Sequence, residues 1–111
     1  MPGCSKGDVV LLRYPFTDQS NFKVRPAIVV SSPGSKYQDI FVVPLTSRLY
    51  NLSDDEFVLS EWEFAGLNVP TAVKRGITLI DVSVVMKTVG TIGAADQTKL
   101  SFSLKRWLEI E

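Results

Sequence analysis

Short apolar segments rich in β-branched residues recur along this chain, and proline, glycine or a cluster of turn-forming residues closes each one. Segments of this kind are typical of buried β-strands. They predict strands at 8–14, 26–31, 40–45, 57–59, 70–74, 78–80 and 86–92. Many short strands within 111 residues predict a small β-barrel.

Two segments carry helical signals instead. In the segment 95–109, apolar residues recur at the spacing of a helix face: Leu100, Leu104, Trp107 and Leu108. Ser60 followed by Glu63 matches a capping box, and Gly66 is placed to end a short helix. The predicted fold class is therefore mainly β, a small barrel with a short inserted helix and a C-terminal helix.

The composition excludes several kinds of site. There is no histidine, which removes the Ser-His-Asp triad, the paired-histidine ribonuclease mechanism and His-ligated metals. The single cysteine, Cys4, excludes an intrachain disulfide and Cys-cluster metal sites, and it fits a reducing compartment. We expect a metal-free and cofactor-free protein with a single domain, 1–111.

No apolar run approaches the roughly 20 residues of a membrane span. Residues 1–8 lack the apolar core of a secretory signal. We therefore expect a cytoplasmic protein that does not act in a membrane.

Basic and acidic residues number twelve each, but they are unevenly distributed. Residues 1–53 carry a net charge of +3, residues 54–67 carry −5, and residues 68–111 carry +2. One interpretation is a solvated acidic loop with scattered surface cations, and the other is a basic face for an anionic ligand. Composition alone favours the first interpretation.

Three motifs follow one another at 6–18, 25–31 and 42–47. The second motif begins Arg25-Pro26-Ala27, and the third ends Pro44-Leu45-Thr46-Ser47. Their order and spacing resemble the MazF/PemK toxins of bacterial toxin–antitoxin pairs. The C-terminal half fits the same family through Trp62, Ala65-Gly66-Leu67, Leu79-Ile80-Asp81 and Val89-Gly90-Thr91-Ile92. The resemblance covers nearly the whole chain as one MazF/PemK-like toxin domain.

This resemblance implies an SH3-like barrel with added helices that forms a homodimer. It also implies a sequence-specific, metal-independent endoribonuclease that cleaves single-stranded mRNA and inhibits growth. A cognate antitoxin would block the RNA site. The family's catalytic arginine and threonine fall on Arg25 and Thr46, with Ser47 beside them.

The chemistry of these side chains suits cleavage of RNA by its own 2′-hydroxyl. An arginine such as Arg25 can bind a phosphate through two nitrogens and stabilise developing negative charge. The hydroxyls of Thr46 and Ser47 can donate to a phosphate oxygen. Alternatively, Arg25 is only a surface cation at the start of a strand, and Thr46-Ser47 is only a β-branched strand end followed by a turn-forming residue. The residues alone favour these alternatives, whereas the family resemblance favours catalysis.

Substrate contacts are expected in two places. One is the loop 19–24, where base stacking and phosphate contacts would come from Gln19, Ser20, Asn21, Phe22 and Lys23. The other is the basic pair Lys74-Arg75. Alternatively, Phe22 packs on its own barrel, and Lys74-Arg75 protect an exposed strand edge by their charge.

The sequence departs from the family at its general base. Some members carry an acidic residue where this chain has Arg75-Gly76, and the first loop lacks their Gly-x-Glu-Gln pattern. Asp18 and Asp81 are the candidates to replace that carboxylate. Two other functions stay open: a non-catalytic poison of the CcdB type, which inhibits DNA gyrase on a similar fold, and a degenerate member that only binds another protein.

Overall fold

The computed structural model describes residues 4–15, 22–34, 36 and 38–110. Its strands are β1 (Asp8–Pro15), β2 (Phe22–Val29), β3 (Asp39–Thr46), β4 (Phe57–Val58), β5 (Ala72–Val73), β6 (Thr78–Asp81) and β7 (Val85–Thr91). A 3₁₀ turn, Val82–Val84, joins β6 to β7, and helix α1 (Ala94–Leu108) follows. This mainly β architecture with a C-terminal helix confirms the predicted fold class.

All of the strand pairs are antiparallel, and the strands run in the order β4-β5-β3-β2-β1-β7. Strand β6 leaves this path and pairs with the first half of β3, along Asp39–Val42. Strand β5 pairs with the end of β3, at Leu45 and Thr46. The sheet is barrel-like, although its path does not close into a ring.

The central strands are buried on both faces, which explains why their sequences read as continuous apolar runs. Alternate residues of β1, β2 and β3 enter two separate cores. The first core includes Val9, Ile28 and Val43, and helix α1 covers it through Leu100 and its neighbours. The second core, which includes Val10, Ala27, Val42 and Cys4, is closed by Ile80, Val82, Val84 and Val85.

Strand β2 starts four residues earlier than the sequence predicted. Pairing with β1 continues through Arg13 with Val24 and Tyr14 with Lys23. Hydrogen bonding to β1 holds Phe22, Lys23 and Val24 in the sheet, and sequence composition does not report such tertiary pairing. The prediction of a loop at 19–24 is therefore wrong over its last three residues, which belong to β2, whereas their predicted contact with substrate stays a prediction.

The predicted inserted helix is reduced to one helical turn. The amide of Ala65 donates to the carbonyl of Glu61 (3.0 Å), which is one α-helical bond. Gly66, with φ +89°, then ends the turn as predicted. Its amide bonds to Glu63 and that of Leu67 bonds to Trp62, both at 3.0 Å, which is the pattern of a Schellman motif.

Asp96 holds the start of this turn from the first turn of helix α1. Its buried carboxylate accepts the amide of Ser60 (2.9 Å), the hydroxyl of Ser60 (2.8 Å) and the amide of Glu61 (3.1 Å). The Ser60 hydroxyl is thus a donor to a distant carboxylate. This corrects the predicted capping box, in which Ser60 would accept the amide of Glu63.

The same turn packs backbone against backbone on β7. A Cβ atom on Gly90 would collide with the carbonyl oxygen of Ala65, and one on Gly66 would collide with the carbonyl oxygen of Val89. Only glycine permits this approach, because any side chain would force the turn away from the strand. The contact fixes the chain just before the segment 67–71.

We expect Gly90→Ala to destabilise the protein by about 2 kcal/mol or more, because its methyl group meets backbone rather than a movable side chain. Gly34→Ala is the matched control, since open space surrounds that glycine, and it should change stability by less than about 0.5 kcal/mol. Urea unfolding of both variants measures the difference. Equal stability of the two variants would contradict the described packing.

Candidate active site

A cleft opens where the pairing of β2 with β3 ends. The last backbone pair is Ala27 with Pro44, and the next residue of β2, Pro26, has no N–H to donate. Continued by two residues, the same register sets Arg25 across from Thr46. Residues opposite each other in an antiparallel pair project their side chains from the same face. Local sequence thus directs a cation and a hydroxyl toward one place.

This first cleft has a volume of about 270 Å³. The ends of β2 and β3 line one side, through Arg25, Pro26, Leu45, Thr46, Ser47 and Arg48. The segment after the helical turn lines the other side, through Leu67, Asn68, Val69 and Thr71. The structure therefore brings together all three residues that were predicted to be catalytic.

The Thr46 hydroxyl is oriented by the chain that follows it. Its Oγ1 accepts the backbone N–H of Arg48 at 3.1 Å. Within the described part of the chain, its own proton has no hydrogen-bond acceptor. The hydroxyl can therefore donate to a ligand oxygen in the cleft without breaking a bond inside the protein.

Arg25 is an exposed residue that lines the same cleft. Among the residues that the structure describes, Arg25 has no acidic partner. The salt bridge within that part of the chain lies away from the cleft and joins Arg106 to Asp55 at 2.8 Å. An arginine without a carboxylate partner keeps its full charge and its N–H donors for an anion. This is the electrostatic arrangement that suits a phosphate.

A second cleft of about 210 Å³ adjoins the first and shares Thr46 and Arg48 with it. Its other lining residues come from the loop after β3 and from the residue that follows β5: Tyr50, Asn51, Leu52, Glu56 and Lys74. The two clefts thus form one continuous surface with Thr46 and Arg48 in the middle. Lys74, predicted to bind substrate, lies on this surface.

Glu56 is the one carboxylate among the described residues that line the two clefts. Its Oε1 accepts the amide and the hydroxyl of Ser53, both at 2.7 Å, and its Oε2 accepts the amide of Arg75 at 2.7 Å. Burial would raise the pKa of Glu56, but these hydrogen bonds and the charge of Lys74 outweigh burial, so the pKa is lowered. The group is ionised at neutral pH.

The remaining predicted substrate residues are less closely associated with the clefts. Lys23 is exposed on β2, two residues before Arg25 and on the same strand face. Arg75 is tied to Glu56 through its backbone, and its side chain lines neither cleft. Phe22 is the first residue of β2. Gln19, Ser20 and Asn21 lie outside the described residues.

The structure excludes one candidate for the missing carboxylate in this chain's own cleft. Asp81 pairs with Asp39 at the start of β3, whereas Thr46 ends that strand seven residues later. At a rise of about 3.3 Å per residue, the separation is roughly 23 Å. Asp81 instead caps the following 3₁₀ turn by accepting the amide of Ser83 at 2.8 Å. Asp18 lies outside the described residues.

Sequence reasoning missed Arg48, Tyr50, Asn51 and Glu56. The only available signal was a cation directly after Thr46-Ser47, because the others are scattered through a polar loop. Glu56 was assigned to a solvated acidic block, and that interpretation is wrong for two of its members. Glu56 lines the second cleft, and Asp55 pairs with Arg106.

Several other features lie apart from the clefts. A cavity of about 360 Å³ between Phe57 and helix α1 contains none of the predicted site residues. The thiol of Cys4 is buried, and burial together with the charge of Asp8 raises its pKa, which disfavours a nucleophilic thiolate. Residues 4–15, 22–34, 36 and 38–110 include no group of three or more potential metal ligands. No described helix has the length and apolarity needed to cross a membrane.

The comparisons with known proteins agree with this fold. The family model of PemK-like, MazF-like toxins of type II toxin–antitoxin systems matches residues 5–108. No curated protein sequence matches the chain.

Three solved structures illustrate the likeness. A MazE–MazF complex from Deinococcus radiodurans superposes with a TM-score of 0.83 at 18% identity, covering 100% of both chains. A mycobacterial endoribonuclease in complex with its cognate antitoxin gives 0.76 at 15% identity, covering 100% of this chain and 98% of that one. The Mycobacterium tuberculosis toxin MazF-mt6 gives 0.73 at 17%, covering 94% and 98%. At such identities, the likeness shows the fold alone.

The hydrogen bonds to Glu56 predict a pH dependence of stability. Because the pKa of Glu56 is lower in the folded chain than its unfolded value of about 4.3, its contribution is complete above that pH. The contribution is lost as the pH falls through the folded-state pKa. We expect Glu56→Gln to cost about 1 kcal/mol at pH 7, and much less at pH 3. Urea unfolding of both proteins at several pH values tests this, and a pH-independent difference would contradict it.

Proposed function

Because the chain belongs to the PemK-like, MazF-like toxins of type II toxin–antitoxin systems, we propose that it is an endoribonuclease. It cuts single-stranded mRNA at specific sequences without a metal ion, and so inhibits growth. The observation that supports this most is that Arg25, Thr46 and Ser47 line one cleft, where Arg25 has no acidic partner among the described residues. A cation and hydroxyl donors on one surface are what a phosphate needs.

In the proposed reaction, the 2′-hydroxyl of RNA attacks the neighbouring phosphorus. A 2′-oxygen–phosphorus bond forms and the bond from phosphorus to the 5′-oxygen breaks. The proton of the 2′-hydroxyl passes to solvent water, and water delivers a proton to the departing 5′-oxygen, which leaves a cyclic phosphate on one product and a 5′-hydroxyl on the other. Arg25 stabilises the extra negative charge of the five-coordinate phosphorus, and the hydroxyls of Thr46 and Ser47 donate to its non-bridging oxygens.

We propose a cognate antitoxin and a second copy of this chain as partners in the cytoplasm. One of the similar structures is an endoribonuclease in complex with its cognate antitoxin, and another is a MazE–MazF complex. The homodimer is supported by apolar side chains exposed on the sheet. Phe41 and Leu79 are register partners on β3 and β6, and they are 46% and 52% exposed.

We expect Arg25→Ala to reduce single-turnover cleavage of a single-stranded RNA by two or more powers of ten, measured in excess EDTA. Arg25→Lys should recover little, because one ammonium group cannot reproduce the planar guanidinium fork. Lys105→Ala, which removes an exposed cation from helix α1, should cleave like wild type. All variants should melt within a few degrees of wild type.

Near wild-type cleavage by folded Arg25→Ala would reject the assigned role. A folded wild-type protein that cuts no RNA, with or without magnesium, would reject the ribonuclease activity and favour a binding poison of the CcdB type.

The Thr46 hydroxyl gives a second expectation. Thr46→Val keeps the β-branched shape of the strand end but removes the hydroxyl, so cleavage should fall by about one to two powers of ten. Thr46→Ser should retain most activity. Equal rates for the valine and serine variants would show that the hydroxyl is not used.

A further inference from the structure

The second cleft lies where a nucleotide next to the scissile phosphate would extend. It shares Thr46 and Arg48 with the first cleft, so one strand can have a phosphate at Thr46 and its next nucleotide in the second cleft. The amide of Arg48 is bonded to the Thr46 hydroxyl, which fixes the start of the loop that forms the second cleft. The two clefts are therefore adjacent along one substrate strand.

The walls of the second cleft combine the groups that bind a single-stranded nucleotide. Tyr50 is 70% exposed and offers an aromatic surface on which a base can stack. Asn51 offers an amide that can both donate and accept hydrogen bonds. Arg48 and Lys74 supply the charge that attracts the RNA backbone.

The carboxylate of Glu56 shows which part of the nucleotide fits its end of the cleft. An ionised carboxylate repels a phosphate but accepts N–H groups from a base. Among the residues that the structure describes, its Oε1 accepts two hydrogen bonds from Ser53, whereas its Oε2 accepts one, from Arg75. One acceptor position on Oε2 is left, since each carboxylate oxygen can take about two hydrogen bonds.

The cleft is also preorganised. Glu56 connects the loop after β3 to the chain after β5 through its bonds to Ser53 and Arg75. Asn51 adopts a left-handed conformation (φ 57°), which asparagine tolerates better than most residues. A loop that is already ordered loses less entropy when a ligand binds.

We propose that the second cleft binds the base of the nucleotide adjacent to the scissile phosphate and sets a sequence preference for cleavage. The base stacks on Tyr50 and gives an amino hydrogen to Glu56. Guanine, adenine and cytosine can donate an exocyclic amino hydrogen, whereas uracil can donate only its ring N3–H. Two carbonyl oxygens flank that N–H and would face the carboxylate, so uracil is disfavoured at this position. This inference rests on the proposed ribonuclease activity.

The test uses the full chain and a pool of single-stranded RNAs randomised around the cut, with the product ends sequenced. We expect wild type to disfavour uracil at one position next to the cut. Tyr50→Ala should raise KM about tenfold or more, with kcat within about threefold, and should weaken the base preference there. Tyr50→Phe should behave like wild type.

Phe64→Ala is the matched control, because Phe64 is an equally exposed aromatic residue (68%) outside both clefts. It should change neither KM nor the cleavage pattern. Melting curves confirm that each variant is folded.

Wild-type KM and cleavage pattern in Tyr50→Ala would overturn the inference and leave the proposed ribonuclease intact. Equal acceptance of uracil by wild type would overturn the role of Glu56. A wild-type protein that cleaves no RNA would instead reject the proposed function, and this inference with it.

Discussion

Strand β3 pairs with three other strands, and both clefts depend on that sharing. Strand β2 lies along one part of β3, while β6 and β5 take successive parts of it. Because Pro26 cannot continue the ladder, β2 and β3 stop pairing just before Arg25 and Thr46. The first cleft opens there, and the pairing of Thr46 with Ala72 sets β5, and Lys74 after it, beside the second.

The charges around these clefts are arranged to favour an anionic strand without a strong overall basic charge. The net charge of the chain is zero, and its acidic residues concentrate at 54–67. Two of them are engaged by hydrogen bonds or a salt bridge, through Glu56 with Arg75 and Asp55 with Arg106. Among the described residues, neither Arg25 nor Arg48 forms a salt bridge with an acidic residue. For the proposed RNA binding, local arrangement therefore matters more than net charge does.

Much of the fold follows from the sequence, because strand burial and helix periodicity are local signals. The central strands and helix α1 appear within a few residues of their predicted bounds. The start of β2 was predicted wrongly, because pairing with β1, which composition does not reveal, orders Phe22 to Val24. The capping box failed for a similar reason, because Asp96, 36 residues away, supplies the contact to Ser60.

The candidate site divides in the same way. Arg25 and Thr46 could be predicted from a motif resemblance, whereas Glu56 and Tyr50 reach the clefts through contacts between distant parts of the chain.

The central claim is that Arg25 and Thr46 act on one transition state. A double-mutant cycle measures this directly, with single-turnover cleavage by Arg25→Ala, Thr46→Val and the double variant. We predict that the double variant is little slower than Arg25→Ala alone, because without Arg25 the phosphorane is no longer held where the Thr46 hydroxyl can stabilise it. Losses that multiply in full would show that the two residues act independently, and would contradict the account.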